Sequence, residues 1–391
     1  MRKIYNTVIF YIINMKTIEI IEAIYKEELK PTRIEEVKGL SKTKVNIFLK
    51  REYPKNIEED PLRTIKRKPA FFILEDLIKK GYINSRKAII SASSGNFARE
   101  LSLKVIKEGL KLISVVPPKI PRENIKILTA LGVDIIHVTE EYDLCPRETT
   151  VFLTRALAEH NHLQLVNIDQ YNSWQNVLSH LFMTWREIKE QLDKVDYIPV
   201  QLGSVGTFMG LSLGNRMEDG KVEIIGVQPT KEHHIPGVHH IVNGCEWTPE
   251  IYSPTLGGKV VTIDDLDAYA ALIKLWEEGI YAGPSTGMGF AYALKLAEKL
   301  KEGDILVISA DSVFSYYEYI LDFLKKNGNQ IALRYPELEE AMEKYKAWLK
   351  KALSLKDRIE MIKKIYKPQK EGKIYNVSEV DHKVILKILN Q

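Results

Sequence analysis

Four short stretches of the chain combine glycines, hydroxyls and a primary amine in a way that anion binding and carbonyl chemistry both require. The first is Gly203-Ser204-Val205-Gly206-Thr207, which ends a run of β-formers at 195–202. It opens a helical pattern with apolar Phe208, Met209, Leu211 and Leu213. A strand, a glycine turn and a helix in that order hold a phosphate. The glycines let the anion approach the backbone, and successive N–H groups with the helix N-terminus supply donors and positive dipole. Thr207 adds a hydroxyl. Alone, such a turn is equally a plain tight turn. Three further turns share its character: Thr64-Ile65-Lys66-Arg67-Lys68-Pro69-Ala70, Ser93-Ser94-Gly95-Asn96 and Gly283-Pro284-Ser285-Thr286-Gly287. Each is small, polar and placed before a helical pattern. Together they imply a small ligand with several anionic or hydrogen-bonding groups.

The elements around these turns alternate. Strands are expected at 44–49, 88–91, 112–116, 134–138, 163–166, 195–202, 223–227 and 304–309. Helices are expected at 16–28, 71–78, 97–109, 121–131, to about His160, and at 264–277, 286–300 and 315–325. Strand–helix alternation with short loops argues for parallel sheets with helices on both faces. In such sheets ligands sit beyond the carboxyl ends of the strands, where the four turns are expected. Beyond residue 333 the composition becomes heavily charged. A helical pattern at 336–366, a linker at 367–372 and a short terminal element at 374–389 follow, with no function to assign. A solvated or subunit-contacting helix is the expected role.

Composition bounds the rest. The 391 residues suffice for about two domains with sizeable cores. Hydrophobic content of 45% and charged content of 28% are those of an ordinary globular protein. A net charge of +4 gives no warrant for a nucleic-acid partner, though it admits anionic substrates. Cys145 and Cys245 make neither a disulfide framework nor a zinc site, and fit inert thiols in a reducing cytoplasm. The apolar run at 8–13 is too short to span a bilayer and lacks a cleavage site after it, so no membrane role is expected. Met15 is an equally good start. Four histidines lie close together in Thr230-Lys231-Glu232-His233-His234-Ile235-Pro236-Gly237-Val238-His239-His240. Their spacing fits no standard zinc site, so no metal is expected, and the segment reads as a mobile loop.

In this order, the turns resemble the pyridoxal-phosphate (PLP) enzymes of fold type II, specifically the cysteine synthase group of β-replacement enzymes. The likeness runs from about Pro31 to Lys325. The lysine-bearing segment resembles Thr64 to Ala70, and the family's Ser-Gly-Asn loop resembles Ser93-Ser94-Gly95-Asn96. The phosphate cup resembles Gly203-Ser204-Val205-Gly206-Thr207. A Gln-Phe-x-Asn segment is matched by Gln170-Tyr171-Asn172, the Glu-Gly-Ile run by 278–287, and a Val-Ile-x-x-Asp-Ser segment by 307–312. The chain departs at Val205, where the family has glycine and a side chain tolerates fewer torsions. It departs again at Val313-Phe314, where the family has Gly-Glu.

The resemblance implies two open, twisted, mainly parallel sheets with helices on both faces and an active site between domains. Residues 31–62 and 171–330 would form the large PLP-binding domain and 63–170 a small mobile domain. Residues 1–30 would be an N-terminal extension, and residues 331–391 a C-terminal helical extension. Lys66 would form the Schiff base and act as general base at Cα. Its neighbours Arg63, Arg67 and Lys68 are cations, which lower an amine's pKa. Asn96 would bond the cofactor's ring hydroxyl. Ser93, Ser94, Gly95 and Gln170 would hold the substrate carboxylate, and residues 203–207 the phosphate. Ser285 would face the pyridine nitrogen, where a neutral hydroxyl keeps the cofactor a modest electron sink suited to β-elimination. An activated serine, O-phosphoserine or O-acetylserine, would then exchange its leaving group for sulfide or another thiol through an aminoacrylate, giving cysteine. Lys231 and the nearby histidines could receive the donor's phosphate. The family also implies a homodimer, expected in the cytoplasm that the two thiols suggest. Cystathionine β-synthase, a serine or threonine dehydratase and a non-catalytic protein on this scaffold are the alternative readings.

Overall fold

Apolar runs punctuated by short polar turns become strands here, and amphipathic stretches become the helices between them. The computed structural model describes residues 15–40, 43–84, 86–139, 146–218, 220–241, 248–377 and 387–389. The apolar run at 8–13 and both cysteines lie outside these residues. In chain order the strands are β1 (Arg33–Glu36), β2 (Lys44–Arg51), β3 (Ala88–Ala92), β4 (Leu112–Val116), β5 (Asp134–Val138), β6 (Leu165–Asn167), β7 (Tyr197–Gln201), β8 (Glu223–Pro229), β9 (Val260–Ile263), β10 (Glu302–Ser309) and β11 (Ile374–Val377). The helices are α1 (Met15–Glu27), α2 (Arg67–Lys79), α3 (Asn96–Lys107), α4 (Arg122–Ala130), α5 (Pro146–His160), α6 (Trp174–Ser179), α7 (Arg186–Gln191) and α8 (Gly206–Met217). After them come α9 (Pro254–Gly257), α10 (Asp265–Glu277), α11 (Pro284–Ala297), α12 (Tyr317–Arg334), α13 (Glu339–Lys351) and α14 (Leu355–Tyr366).

The chain divides into two units, and each carries one sheet. The first takes the described residues of 25–65 and 177–352, and the second those of 15–24, 66–176 and 353–391. The sheet of the first unit has six strands in the order β1-β2-β10-β7-β8-β9. All its pairings are parallel except β1 with β2. Ile305, Leu306, Val307 and Ile308 of β10 are all buried. Such an unbroken apolar run is what a strand covered on both faces needs. Strand β1 has only Ile34 as an apolar residue, so it carries no period of its own. Its place comes from antiparallel pairing with β2. The sheet of the second unit has five strands, all parallel, in the order β11-β5-β4-β3-β6.

The tail is not one solvated helix. In the first unit α13 packs Tyr345 and Trp348 edge-on against Trp276, with ring centroids 5.2 and 5.7 Å away. In the second unit Arg358 of α14 is fully buried and lies 2.6 Å from Glu123 of α4. Beyond it β11 extends the sheet by pairing with β5. Gly372 lies so close to the backbone of Val133 that no side chain fits there. The charged composition that suggested a solvated helix covers only the outer face.

Candidate active site

In the first unit, β2, β10, β7, β8 and β9 run parallel and so end on one edge. The turn 203–207 follows β7 there and leads into α8. Its cap, Val205, has φ 60° and ψ −3°, the left-handed region. A β-branched residue is sterically disfavoured in that region, so the chain holds a glycine-type conformation with a valine. Val205 is only 3% exposed, and burial of its side chain opposes the strain. Gly203 has no room for a Cβ, because the carbonyl oxygen of Gly237 occupies that position. The segment that follows β8 therefore crosses the turn, and it is fastened by a hydrogen bond from His239 N–H to Leu202 O of 2.7 Å.

Thr207 ends the turn and is buried, with Oγ1 3.2 Å from Nε2 of His180. His180 is 0% exposed, and its Nδ1 lies 3.0 Å from Thr184 Oγ1. It sits in a π-helical stretch, His180–Trp185, between α6 and α7. Two glycines of α8 permit the approach. A Cβ on Gly210 would lie 2.6 Å from His180 Cβ, and one on Gly214 would lie 2.5 Å from the Trp185 ring. Sequence reasoning missed His180. The spacing Gly206, Gly210, Gly214 was the available signal, since glycines one helical turn apart mark a face that something approaches closely.

The turn holding Ser285 follows α10 rather than a strand, as the expected helix at 264–277 implies. It reaches the same edge through Gly283 N–H to Asp311 O at 2.9 Å and Val313 N–H to Tyr281 O at 3.0 Å. These pair it with the segment leaving β10. Gly283 has no room for a side chain against the Asp311 carboxylate, which accepts from Tyr316 OH at 2.5 Å. Thr286 Oγ1 and Tyr53 OH each lie 3.2 Å from Ser309 Oγ. Burial pushes the Tyr53 phenol up to about 12, so it stays a neutral hydroxyl. Ser285 is 4% exposed, yet its hydroxyl has no hydrogen-bond partner among the described residues.

In the second unit, β3 and β6 are parallel neighbours, so 93–96 and Gln170 lie past the same edge. Ser93 Oγ, two residues before the cap residue Gly95, accepts from Ala98 N–H at 3.2 Å and so satisfies a donor of the first helical turn. Ser114 donates to the Ser93 carbonyl oxygen. Asn96 is the first residue of α3, and open space lies where a Cβ on Gly95 would point. Ser94 is half-buried, and its hydroxyl has no partner among the described residues. Gln170 is 5% exposed, and its side-chain amide has no partner among the described residues. Both groups therefore face open surface, where a ligand can reach them.

Lys66 is the residue on which α2 begins, and it is partly exposed. The next residue, Arg67, places Nε 2.7 Å from Glu100 Oε2 on α3. That pair ties the start of α2 to the helix that Asn96 opens. It also offsets one of the charges expected to act on Lys66. Arg63, in the first unit, is turned to the Lys30 carbonyl at 2.5 Å.

Lys231 is exposed and has no partner among the described residues. The neighbouring histidines are engaged. His234 Nδ1 lies 3.0 Å from Asp265, His240 Nδ1 lies 2.7 Å from Pro229 O, and His233 Nδ1 accepts from Ile235 N–H at 3.2 Å. Burial lowers the His233 pKa. No group of metal-ligating side chains occurs among the described residues.

Residues 25–311 match the family described as pyridoxal-phosphate dependent enzyme. The chain belongs to that family. Cysteine synthase B of Salmonella typhimurium strain LT2 is 28% identical over 254 residues, covering 64% of this chain and 82% of that protein. Cystathionine beta-synthase of Oryctolagus cuniculus is 27% identical over 279 residues, 66% of this chain and 49% of that longer protein. The fold is shared with an O-acetylserine-dependent cystathionine beta-synthase from Helicobacter pylori. That match has a TM-score of 0.65 at 24% identity and covers 76% of this chain and 96% of that one. The chain is thus a PLP-dependent enzyme of fold type II. The residues present fit the cofactor. Ser285, a buried residue, offers a hydroxyl with no partner among the described residues, and the turn at 203–207 leads into the N-terminus of α8 with Val205 in the left-handed region. Among the described residues, no helix is long and apolar enough to cross a membrane.

Proposed function

We propose that the enzyme performs β-replacement on an activated serine, exchanging its β-substituent for sulfide or another thiol. Bound PLP supplies the electron sink for charge that develops at Cα. The observation that carries the reading is Ser285, a buried residue whose neutral hydroxyl has no partner among the described residues. Placed at the ring nitrogen, such a hydroxyl would withhold the full positive charge that a carboxylate would stabilise there, which would favour elimination over transamination.

The chain's own residues do the rest. Lys66 holds the cofactor through its amine and, once the substrate amine takes its place, removes the proton from Cα. Asn96 would hydrogen-bond the cofactor's ring hydroxyl. The Ser94 hydroxyl, the Gln170 amide and backbone N–H groups of 93–96 hold the substrate carboxylate. Backbone N–H groups of 203–207 with the Thr207 hydroxyl hold the phosphate. For Thr207 to donate to phosphate, its oxygen accepts from His180 Nε2–H, and His180 Nδ1 then accepts from Thr184. The β-substituent leaves with its electron pair, the thiolate adds at Cβ, and Lys66 returns the proton to Cα.

O-Phosphoserine is our preferred donor, with Lys231 as the exposed cation nearest in sequence to the segment crossing the turn at 203–207. Likeness to cystathionine beta-synthase supports a second reading, in which homocysteine replaces sulfide as the nucleophile. A homodimer in the cytoplasm completes the proposal. The test is direct: the PLP-loaded protein is given O-phosphoserine or O-acetylserine with sulfide or homocysteine, and the amino-acid products are quantified. Cysteine from sulfide supports the first reading and cystathionine the second. Absence of either product contradicts β-replacement.

A further inference from the structure

The second unit has a cavity that the proposed chemistry does not use. It holds about 340 Å³ and lies at the amino ends of β3 and β4, the edge opposite to residues 93–96. Its apolar floor comes from Ala88, Val105, Leu112, Leu131 and Val133. Its charged lining residues, Arg86, Lys87, Lys111 and Lys370, are all cations, beside the uncharged Ser102 and Gln369, with no carboxylate among the described lining residues. Among the described residues only Lys111 of these has a counter-charge, Asp134 at 3.2 Å, and Lys111 also donates to the Ile388 carbonyl. Arg86, Lys87 and Lys370 have no ion-pair partner among the described residues. Cations gathered around one recess without acids repel one another, and a bound anion removes that repulsion.

The tail builds one wall. Gln369, Lys370 and Leu389 line the cavity, and the Lys370 carbonyl comes within 3.0 Å of the position a Cβ on Gly132 would take. From Gly372 the chain runs against Val133 and into β11, so this wall is held by backbone contact on the strand side. Lys370 thus comes from the tail, while Arg86, Lys87 and Lys111 come from the body of the unit. We propose that this cavity is a second binding site, for a small phosphorylated molecule with a flat apolar body, the chemistry of a nucleoside phosphate. The apolar body covers the floor. The phosphates engage Lys370 together with Arg86 and Lys87, which clamps the tail to the unit. A volume at the lower end of small-ligand sites suits one such molecule.

The test uses the PLP-loaded full-length protein, so that the phosphate turn is filled, with ADP as the probe. Calorimetry is expected to show binding at one site per chain. The Lys87→Glu, Lys370→Glu double variant is expected to weaken it by about tenfold or more, with PLP absorbance unchanged. Hydrogen exchange is expected to slow in 369–377 when ADP is added. Adenosine binding as tightly as ADP would overturn the proposal, and so would ADP binding that the double variant leaves unaltered. Absence of heat and of exchange protection at millimolar ADP would overturn it as well. None of these readouts depends on which β-replacement the enzyme performs.

Discussion

His180 Nε2 lies 3.2 Å from Thr207 Oγ1, and two glycines of α8 leave the space that makes this possible. In the proposed cofactor geometry the imidazole orients the one phosphate-binding hydroxyl of the turn. His180→Ala removes that orientation, and a lost buried hydrogen bond of this kind is worth roughly 1–3 kcal/mol. PLP should then bind about tenfold more weakly or worse, as read by absorbance titration of the apoprotein. His180→Gln, which keeps a donor, should recover most of the affinity. Equal losses in both variants would mean that the histidine only fills space.

Val205 makes a second, independent test. Val205→Gly removes left-handed strain of roughly 1–2 kcal/mol but also forfeits a buried side chain of similar worth. Val205→Ala loses much of the burial and keeps the strain. Denaturant unfolding should therefore find glycine less damaging than alanine, the reverse of the order in a regular helix. Alanine proving the milder change would show that the turn relaxes away from φ +60°.

Glu123 and Arg358 bind the tail into the second unit through a buried contact of 2.6 Å. Glu123→Ala leaves a guanidinium buried without its carboxylate, and breaking such a pair costs roughly 3–5 kcal/mol. Limited proteolysis should then cut within the tail at protease levels that leave the parent chain whole. A variant as resistant as the parent would contradict a docked tail.

A pH dependence follows from His233. Burial is the largest cause lowering its pKa from the model-compound value of 6.5. Asp265 opposes the shift, while His234 and His240 add to it. The folded state therefore takes up this proton less readily than the unfolded chain. The contribution is fully present above pH 6.5 and is lost as the pH falls below it toward the folded pKa. His233→Gln should flatten thermal stability over that interval. An unchanged slope would assign the acid loss to other groups.

Much of the architecture was legible in the chain because strands buried on both faces must be continuous apolar runs. Residues 112–116 and 134–138 were placed to the residue, and 304–309 forms most of β10. Strands β1 and β9 were not legible, being four-residue segments placed by their pairing partners. The stretch from Trp174 to Gln191 hides a π-helical turn, and inserting one residue per turn breaks the 3.6-residue period that reveals helices. Within the candidate site, glycines and hydroxyls were legible because backbone geometry restricts what can stand there. His180 was not, since its role depends on a threonine 27 residues away.

The central claim is that Lys66 is the residue that carries the cofactor. Reducing the PLP-loaded protein with borohydride, digesting it and sequencing the phosphopyridoxylated peptide by mass spectrometry reads this directly. The account predicts the label on Lys66 and its loss, with the visible absorbance, in Lys66→Ala. A label on any other lysine, or an undiminished label in that variant, would contradict it.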